Sequence, residues 1–495
     1  MILQRINTYG VEMEGKFNKY SKNIPTHSKT LGDAQHTMDC TECTSCGCEC
    51  KPVREVAVLG GGIAGITAAL DLAKHGVLVH LIEREPSIGG HMAMLDKTFP
   101  TNDCSMCILS PKMVDIARHP LIKLHTCTEL IGVTENDKGG GKKERFNVEL
   151  LRHPRYVNES ECTGCGECTE ICPVEVYNQF DVGVGVRKAI YKPHSQVIPN
   201  VSIRDSKHCI DCRLCYGICG KHAVLEDYED KEETITLCVA AIIVAVGYET
   251  FDPRQLAQYH YLFAPDVITS LEFERMIHAE GPTSGSLRRL SNGEKPKEIV
   301  FIQCVGSRNM AIDRPYCSCV CCMYAMKNAM LIKEKSPDTK VSILYMDVRA
   351  YGKGYEEYYE RAVNLGIEFI RGIPGEIYPD DGTVVLHLEN TENGEMLRLK
   401  PDLVILSVGM QPIETQEQIA RILGLELSES GFFASSSEDM TVAKTIVPGI
   451  YLAGTCHAPR DIPDTVAAGG AAAMCAFIDL MKEDHAACQE GTMQE

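Results

Sequence analysis

The chain has 495 residues, too many for one ordinary core and enough for about three domains. With 44% hydrophobic and 24% charged residues it reads as globular and not disordered. A formal net charge of −19 speaks against nucleic acid, which needs a basic footprint, and suits either an ordinary acidic protein or one that docks on a basic partner.

Twenty-five cysteines set the chain apart. Long apolar segments and no export signal argue against a small secreted disulfide scaffold. The cysteines sit in tight arrays dominated by C-x2-C spacing, which suits metal ligation in a reducing compartment. The longest apolar stretch, at 239–246, is far short of a membrane span, so a cytoplasmic protein without direct membrane insertion is expected.

Residues 1–52 are polar and end in Cys40, Cys43, Cys46, Cys48 and Cys50. Residues 53–154 then open a β-α-β pattern: an apolar run at 53–59, a glycine turn, an Ala- and Leu-rich helix at 63–74 and a second strand at 77–82. The turn reads Gly60-Gly61-Gly62-Ile63-Ala64-Gly65. Such glycines allow a tight turn, a close backbone approach to a pyrophosphate and tight helix–sheet packing, while the helix N-terminus offers unpaired N–H groups. Glu83 ends the second strand, where its carboxylate can meet a ribose hydroxyl. Glu83-Arg84 followed by Gly89-Gly90 resembles the pattern of FAD-dependent reductases, so FAD is expected in preference to NAD.

Residues 155–231 interrupt this texture. Cys162, Cys165, Cys168 and Cys172, followed by Pro173, form the C-x2-C-x2-C-x3-C-P run of bacterial ferredoxins. Cys209, Cys212, Cys215 and Cys219 repeat it, with Gly220 in place of the proline. In two-cluster ferredoxins the fourth cysteine of each run ligates the other cluster. The expected sets are therefore Cys162, Cys165, Cys168 with Cys219, and Cys209, Cys212, Cys215 with Cys172. Zinc is the competing reading.

Residues 232–295 return to the first unit through an apolar strand at 240–246. Residues 296–400 open a second α/β unit with a strand at 298–303, a helix at 323–335 and a strand at 340–346. Its first turn, Gln303-Cys304-Val305-Gly306-Ser307, lacks the glycine pattern of a nicotinamide site, and Cys317, Cys319, Cys321 and Cys322 follow. Electrons are thus expected to reach the flavin through clusters. Residues 401–495 bring a buried strand at 402–408 and the stretch from Gly449 to Gly454, which resembles the late FAD motif of the same reductases with Thr455 in place of Asp. Asp461 and the alanine-rich helix after Asp464 are expected to serve the ribityl chain and ring. The expected fold is α/β: two dinucleotide-binding-type domains, as in thioredoxin-reductase-like FAD flavoproteins, with an inserted α+β ferredoxin-like domain for two [4Fe–4S] clusters.

Several longer strings resemble the A-subunit family of heterodisulfide reductases, the iron–sulfur flavoproteins of methanogens and related anaerobes. They are Gly89-Gly90-His91-Met92, Thr98-Phe99-Pro100-Thr101, Asp103-Cys104-Ser105-Met106-Cys107-Ile108-Leu109, Cys304-Val305-Gly306-Ser307-Arg308 and Tyr351-Gly352-Lys353-Gly354-Tyr355. The match runs over residues 53–480. The resemblance implies that Cys304, Cys317, Cys321 and Cys322 hold a further [4Fe–4S] cluster, for at least three in all. It also implies that Lys327 stands near the flavin N5; on residue type alone Lys327 reads as a solvated helix lysine. Cys319 departs from the family pattern. The sequence resembles a shorter variant without the family's C-terminal ferredoxin domain. Cys40 to Cys50, with Cys104 and Cys107, could bind another cluster, face a partner as thiols, or hold zinc.

The resemblance implies flavin-based electron bifurcation within a multimeric complex. A hydrogenase or formate dehydrogenase partner would deliver electrons, and ferredoxin and disulfide-reducing B- and C-like subunits would receive them. The competing readings are a non-bifurcating wire, as in quinone-interacting oxidoreductases, and an adaptor, as in aromatic-ring reductase assemblies.

Overall fold

The computed structural model describes residues 54–136, 145–380, 383–436 and 443–492. The N-terminal cysteines Cys40 to Cys50 lie outside the described residues. The first strand, β1 (Glu55–Leu59), is apolar from its second residue onward and buried on both faces, the signature of a central strand in a parallel sheet. It is followed by α1 (Ile63–Lys74) and β2 (Leu78–Ile82). Five parallel strands complete this sheet in the order Ile450–Leu452, Ala241–Val244, β1, β2 and Ile122–His125. Helix α2 (Ser105–Arg118) and the long helix Ile462–Thr492 pack with α1 over one face.

A second parallel sheet runs Val267–Thr269, Leu403–Val408, Glu298–Val305, Lys340–Tyr345 and Glu368–Arg371. The helix Cys321–Lys335 covers it and starts two residues before the expected position. Each parallel sheet is accompanied by a three-stranded antiparallel one. The first comprises Thr128–Glu135, Phe146–Arg152 and Glu233–Val239, and the second Ile377–Asp380, Thr383–Asn390 and Glu395–Leu399. The architecture is α/β, with two units of like construction.

The segment between Phe146–Arg152 and Glu233–Val239 contains both ferredoxin-type runs. Those two strands pair antiparallel, Arg152 against Glu233, so the ends of the 80-residue excursion emerge side by side. Asp230 ties the base: its carboxylate accepts the Arg155 and Tyr156 N–H groups, both at 2.8 Å, and the Arg152 guanidinium at 3.0 Å. Away from the base, Arg275 reaches into the excursion. Its guanidinium is buried, donates to Asp181 at 2.9 Å and to the Met94 carbonyl at 3.1 Å, and lies over the Phe180 ring.

The stretch Ile462–Glu483 of the last helix is long and apolar enough to cross a membrane by length and composition, unlike the shorter run singled out from sequence. Ala472, Ala473, Ala476 and Leu480 on it are buried in the core beneath the first sheet.

Arg275→Ala leaves Asp181 buried without its cation. Breaking such a pair costs about 3–5 kcal/mol, so the thermal or urea transition of the apoprotein should fall accordingly. A loss under about 1 kcal/mol would mean that the pair behaves as an exposed one.

Candidate cofactor cavity and cysteine cradles

A cavity of about 1220 Å³ opens at the C-terminal ends of the first sheet's strands, the place where open α/β sheets bind ligands. Its shape begins with the β1–α1 turn. Gly60 has φ +103, and a Cβ there would stand 2.3 Å from the Ala245 carbonyl oxygen. A Cβ on Gly65 would meet the Gly60 carbonyl oxygen at 1.9 Å, so α1 can sit this close to β1 only without it. Gly62, the N-cap of α1, provides no side chain, and the first turn of α1 carries no acid. The N–H end of the helix thus faces the cavity beside Ile63 and Ala64 with no acid in its own first turn to compete for it.

Glu83 lies at the end of β2 with its carboxylate buried. One oxygen accepts the Gly61 N–H at 2.8 Å and the other the Glu85 N–H at 2.9 Å. Burial outweighs these bonds and pushes the carboxyl up to about 7. Gly60, Gly62, Ala64, Glu83, Arg84, Gly89, Gly90, Lys327 and Asp461 all line the cavity. Gly61, Gly65 and Gly454 stand behind the wall; a Cβ on Gly454 would lie 2.7 Å from that of Ala64. The Asp461 carboxylate is already engaged, accepting the Tyr355 hydroxyl and the Asp464 N–H.

Lys327 is buried to 1% exposure, not solvated as its residue type alone would have it. Its ammonium donates to the Lys97 carbonyl at 2.9 Å and to Glu274, whose other oxygen accepts the Asp96 N–H. The wall includes further residues that spacing did not single out. His91 stacks on Tyr248 at 4.5 Å, and burial lowers its imidazole to about 4. Phe180, Tyr191 and His194 bring the cysteine-rich excursion itself to the cavity. No periodicity marks these residues, because each meets the cavity from a distant part of the chain.

The two ferredoxin-type runs fold alike. Each leads into a one-turn helix, Glu167–Ile171 or Leu214–Ile218, and the two helices pack together. Gly164 and Gly166 of the first run have φ +68 and +87; Asp211 and Arg213 take the same left-handed backbone at +51 and +61. Turns of this kind aim successive N–H groups inward, as anionic iron–sulfur sites require. A small hollow is lined by Cys172, Cys209, Cys212 and Cys215 together, the crossed set expected from spacing. Cys162, Cys168, Cys172 and Cys219 pack against the same small core as Cys215.

The third cysteine group lies on the second sheet. Here the connection from Glu298–Val305 to the helix Cys321–Lys335 spans residues 306–320, in contrast to the tight glycine turn of the first unit. The space beside Gly306 is filled by the Phe251 ring. Cys304, Arg308 and Cys319 have φ of +59, +55 and +64, again non-glycine residues held left-handed. Burial raises the Cys304 thiol to about 11, with Cys322 and Cys317 close enough to add to the rise. Cys321 is likewise pushed up by burial, whereas hydrogen bonding from Cys319 brings Cys317 down to about 6. A bound cation reverses the cost of ionising such thiols. Val320 and Tyr324, close to Cys321 in sequence, line the large cavity, so cradle and cavity share a wall.

Among the described residues no three His, Cys, Asp or Glu side chains converge on a single metal ion. A four-iron cubane spreads its thiolates over separate irons. Cys104 and Cys107 lie at the start of α2. Cys104 is the N-cap and accepts the Cys107 N–H, and Cys107 is exposed.

A family model described as pyridine nucleotide-disulphide oxidoreductase matches residues 54–473. The chain is 52% identical over 419 residues to the iron–sulfur A subunit of a CoB–CoM heterodisulfide reductase of Methanopyrus kandleri, covering 84% of this chain and 63% of the relative. It is 48% identical to the A subunit of an H2:CoB-CoM heterodisulfide,ferredoxin reductase of Methanothermobacter thermautotrophicus, covering 86% of this chain and 64% of the relative. The chain therefore spans slightly less than two thirds of the length of these relatives. Among solved structures, a thioredoxin reductase of Lactococcus lactis matches at 15% identity and a TM-score of 0.48, covering 87% of this chain and 99% of that one.

The Glu83 carboxyl gives the apoprotein a pH signature. Its folded pKa of about 7 lies above the unfolded value of about 4.3, so its contribution is fully present below about pH 4.3 and is lost as pH rises through 7. Glu83→Gln should therefore leave stability near pH 5 little changed and raise it at pH 8 by on the order of 3 kcal/mol. Parallel stability curves for the two apoproteins would show that Glu83 ionises in its ordinary range.

Proposed function

Because the chain belongs to the pyridine nucleotide-disulphide oxidoreductase family and is 48–52% identical to A subunits of heterodisulfide reductases, we propose that it is the iron–sulfur flavoprotein of a heterodisulfide-reductase-type complex. The observation that carries this reading is a cavity at a dinucleotide-type turn whose wall includes Val320, next to Cys321, and, from the excursion that bears the ferredoxin-type runs, Phe180, Tyr191, Arg204 and His208. A nicotinamide reductase would need a second glycine turn where this chain has cysteines.

FAD, when bound, supplies the exchange between two-electron and one-electron chemistry, and [4Fe–4S] clusters carry electrons singly. The chain's own part is to hold and tune. The N–H end of α1 would hold the pyrophosphate, and the Glu83 carboxylate would accept from the adenosine ribose. Lys327 puts a buried positive charge on the cavity wall, and Glu274 and the Lys97 carbonyl fix its position. The left-handed loops hold three cysteine sets: Cys162, Cys165, Cys168 with Cys219; Cys209, Cys212, Cys215 with Cys172; and Cys304, Cys317, Cys321 with Cys322. In this reading a hydrogenase or formate dehydrogenase partner delivers electron pairs. A flavin held in the cavity would allow those pairs to be split between ferredoxin and B- and C-like disulfide-reducing subunits, in the cytoplasm. Relatives carry names that mention ferredoxin, H2 and formate, which supports this choice of partners.

Anaerobically reconstituted protein should contain FAD and about twelve irons per chain, and Cys212→Ser and Cys321→Ser should each remove about four. An iron content unaffected by Cys321→Ser would remove the cluster on the second sheet. In a redox titration, bifurcation calls for a flavin that passes to its fully reduced form without an accumulating radical signal. A radical that builds up at half reduction would make the chain a plain wire.

A further inference from the structure

Arg204 touches both the large cavity and the small hollow between Cys172, Cys209, Cys212 and Cys215. It is 4% exposed. Nη1 lies 3.8 Å from the Cys209 sulfur, and Nη2 donates to the Leu225 carbonyl at 3.2 Å and to the Asp227 carboxylate. The guanidinium faces the Tyr156 ring at 4.6 Å and the Tyr216 ring at 5.9 Å. Nε is buried with no hydrogen-bond partner among the described residues. A buried cation with an unsatisfied donor, placed against a cysteine that spacing assigns to a cluster, is costly unless something anionic completes its surroundings.

Among the described residues the first cysteine set has no equivalent of this arrangement. Two residues earlier on the same stretch, the Ser202 hydroxyl lies 3.6 Å from the Cys168 sulfur, a neutral contact where Cys209 has a guanidinium. Lys192 approaches the first run but donates to the Gly164 carbonyl and the Asn200 side chain. Exposed charges do not divide the two sets: Glu161 and Glu167 flank the first, with Lys221 beside its Cys219, and Lys207, Asp211 and Arg213 flank the second, with Glu170 beside its Cys172, so the difference lies in the buried guanidinium.

From this asymmetry, and resting on the reading above that the excursion holds two [4Fe–4S] clusters, we propose that Arg204 is a positioning residue that raises the reduction potential of the Cys172/Cys209/Cys212/Cys215 cluster above that of its neighbour. Reduction adds one electron, and so one negative charge, without making or breaking a bond. A guanidinium hydrogen-bonded to a ligand sulfur stabilises the more negative state, and hydrogen bonds and net charge at the sulfurs set cluster potentials. Because Arg204 also lines the large cavity, the cluster that it favours is the one next to the flavin. His208, next to Cys209, lines the large cavity as well, so this cysteine set would hold the cluster nearer to a flavin bound there.

The test is a potentiometric EPR titration of the reconstituted protein, with the signal that Cys212→Ser abolishes taken as the second cluster. Arg204→Met should lower the reduced-to-oxidised ratio of that cluster about tenfold at a fixed potential, which is about 59 mV for a one-electron couple, and leave the other cluster unmoved. Arg204→Lys should fall between. Asp227 is 67% exposed at its side chain, and Asp227→Asn removes the counter-charge, so it should move the same cluster in the opposite direction. If Arg204→Met fails to load iron, the Asp227→Asn shift decides. Two insert clusters present in both variants at unchanged potentials, or shifting together, would overturn the role of Arg204 alone. Absence of both clusters from the wild-type protein would overturn the reading on which it rests.

Discussion

Gly60 and Gly65 lie so close across the β1–α1 turn that a methyl group on either would enter a neighbouring carbonyl. This contact draws the first turn of α1 down onto the sheet, and the rest of the cavity follows from it. With the helix seated, Gly61 can offer its N–H to Glu83, and Ala64 comes against Gly454 in the last crossover. The strand Ala241–Val244 then delivers Ala245 to the same spot after the 80-residue excursion. The excursion is tolerated because it leaves and returns through one antiparallel pair, so the strand order beneath the cavity does not register its presence.

What the excursion adds is a wall. A cysteine-rich module on a hairpin could in principle swing, but Arg275 holds it from the opposite side through Asp181 and the Phe180 ring. Buried pairs of this kind add little to stability compared with an apolar contact of equal size, but they are unforgiving of displacement. The separation between the cavity and the ferredoxin-type runs is therefore set by side-chain geometry and not by linker length.

Much of this was legible in the residues. Strand, glycines, helix and acid predicted the β1–α1–β2 unit, and the hollow among Cys172, Cys209, Cys212 and Cys215 matches the crossed set read from spacing. Local pattern serves well where function depends on neighbours in sequence. It failed for Lys327, whose type suggests solvent, because Glu274 and Lys97 come from other elements to receive it. Arg204 was invisible for the same reason: nothing in Ile203-Arg204-Asp205 announces that two cavities meet there. Gly61, Gly65 and Gly454 matched motifs yet serve from behind the wall, since a glycine pattern records where backbones touch as well as where ligands do.

The hairpin under Lys327 is a mechanical link. Lys97 on its inner strand offers the carbonyl that holds the ammonium, and Lys97 pairs directly with Cys104 on the outer strand. Cys104 in turn caps α2, with Cys107 at the surface one turn along. A peptide pair is thus the whole thickness between the half-buried Cys104 and a charge that faces the cavity. The backbone that carries Cys104 and the carbonyl that seats Lys327 thus belong to one two-strand pair, and neither can shift without the other.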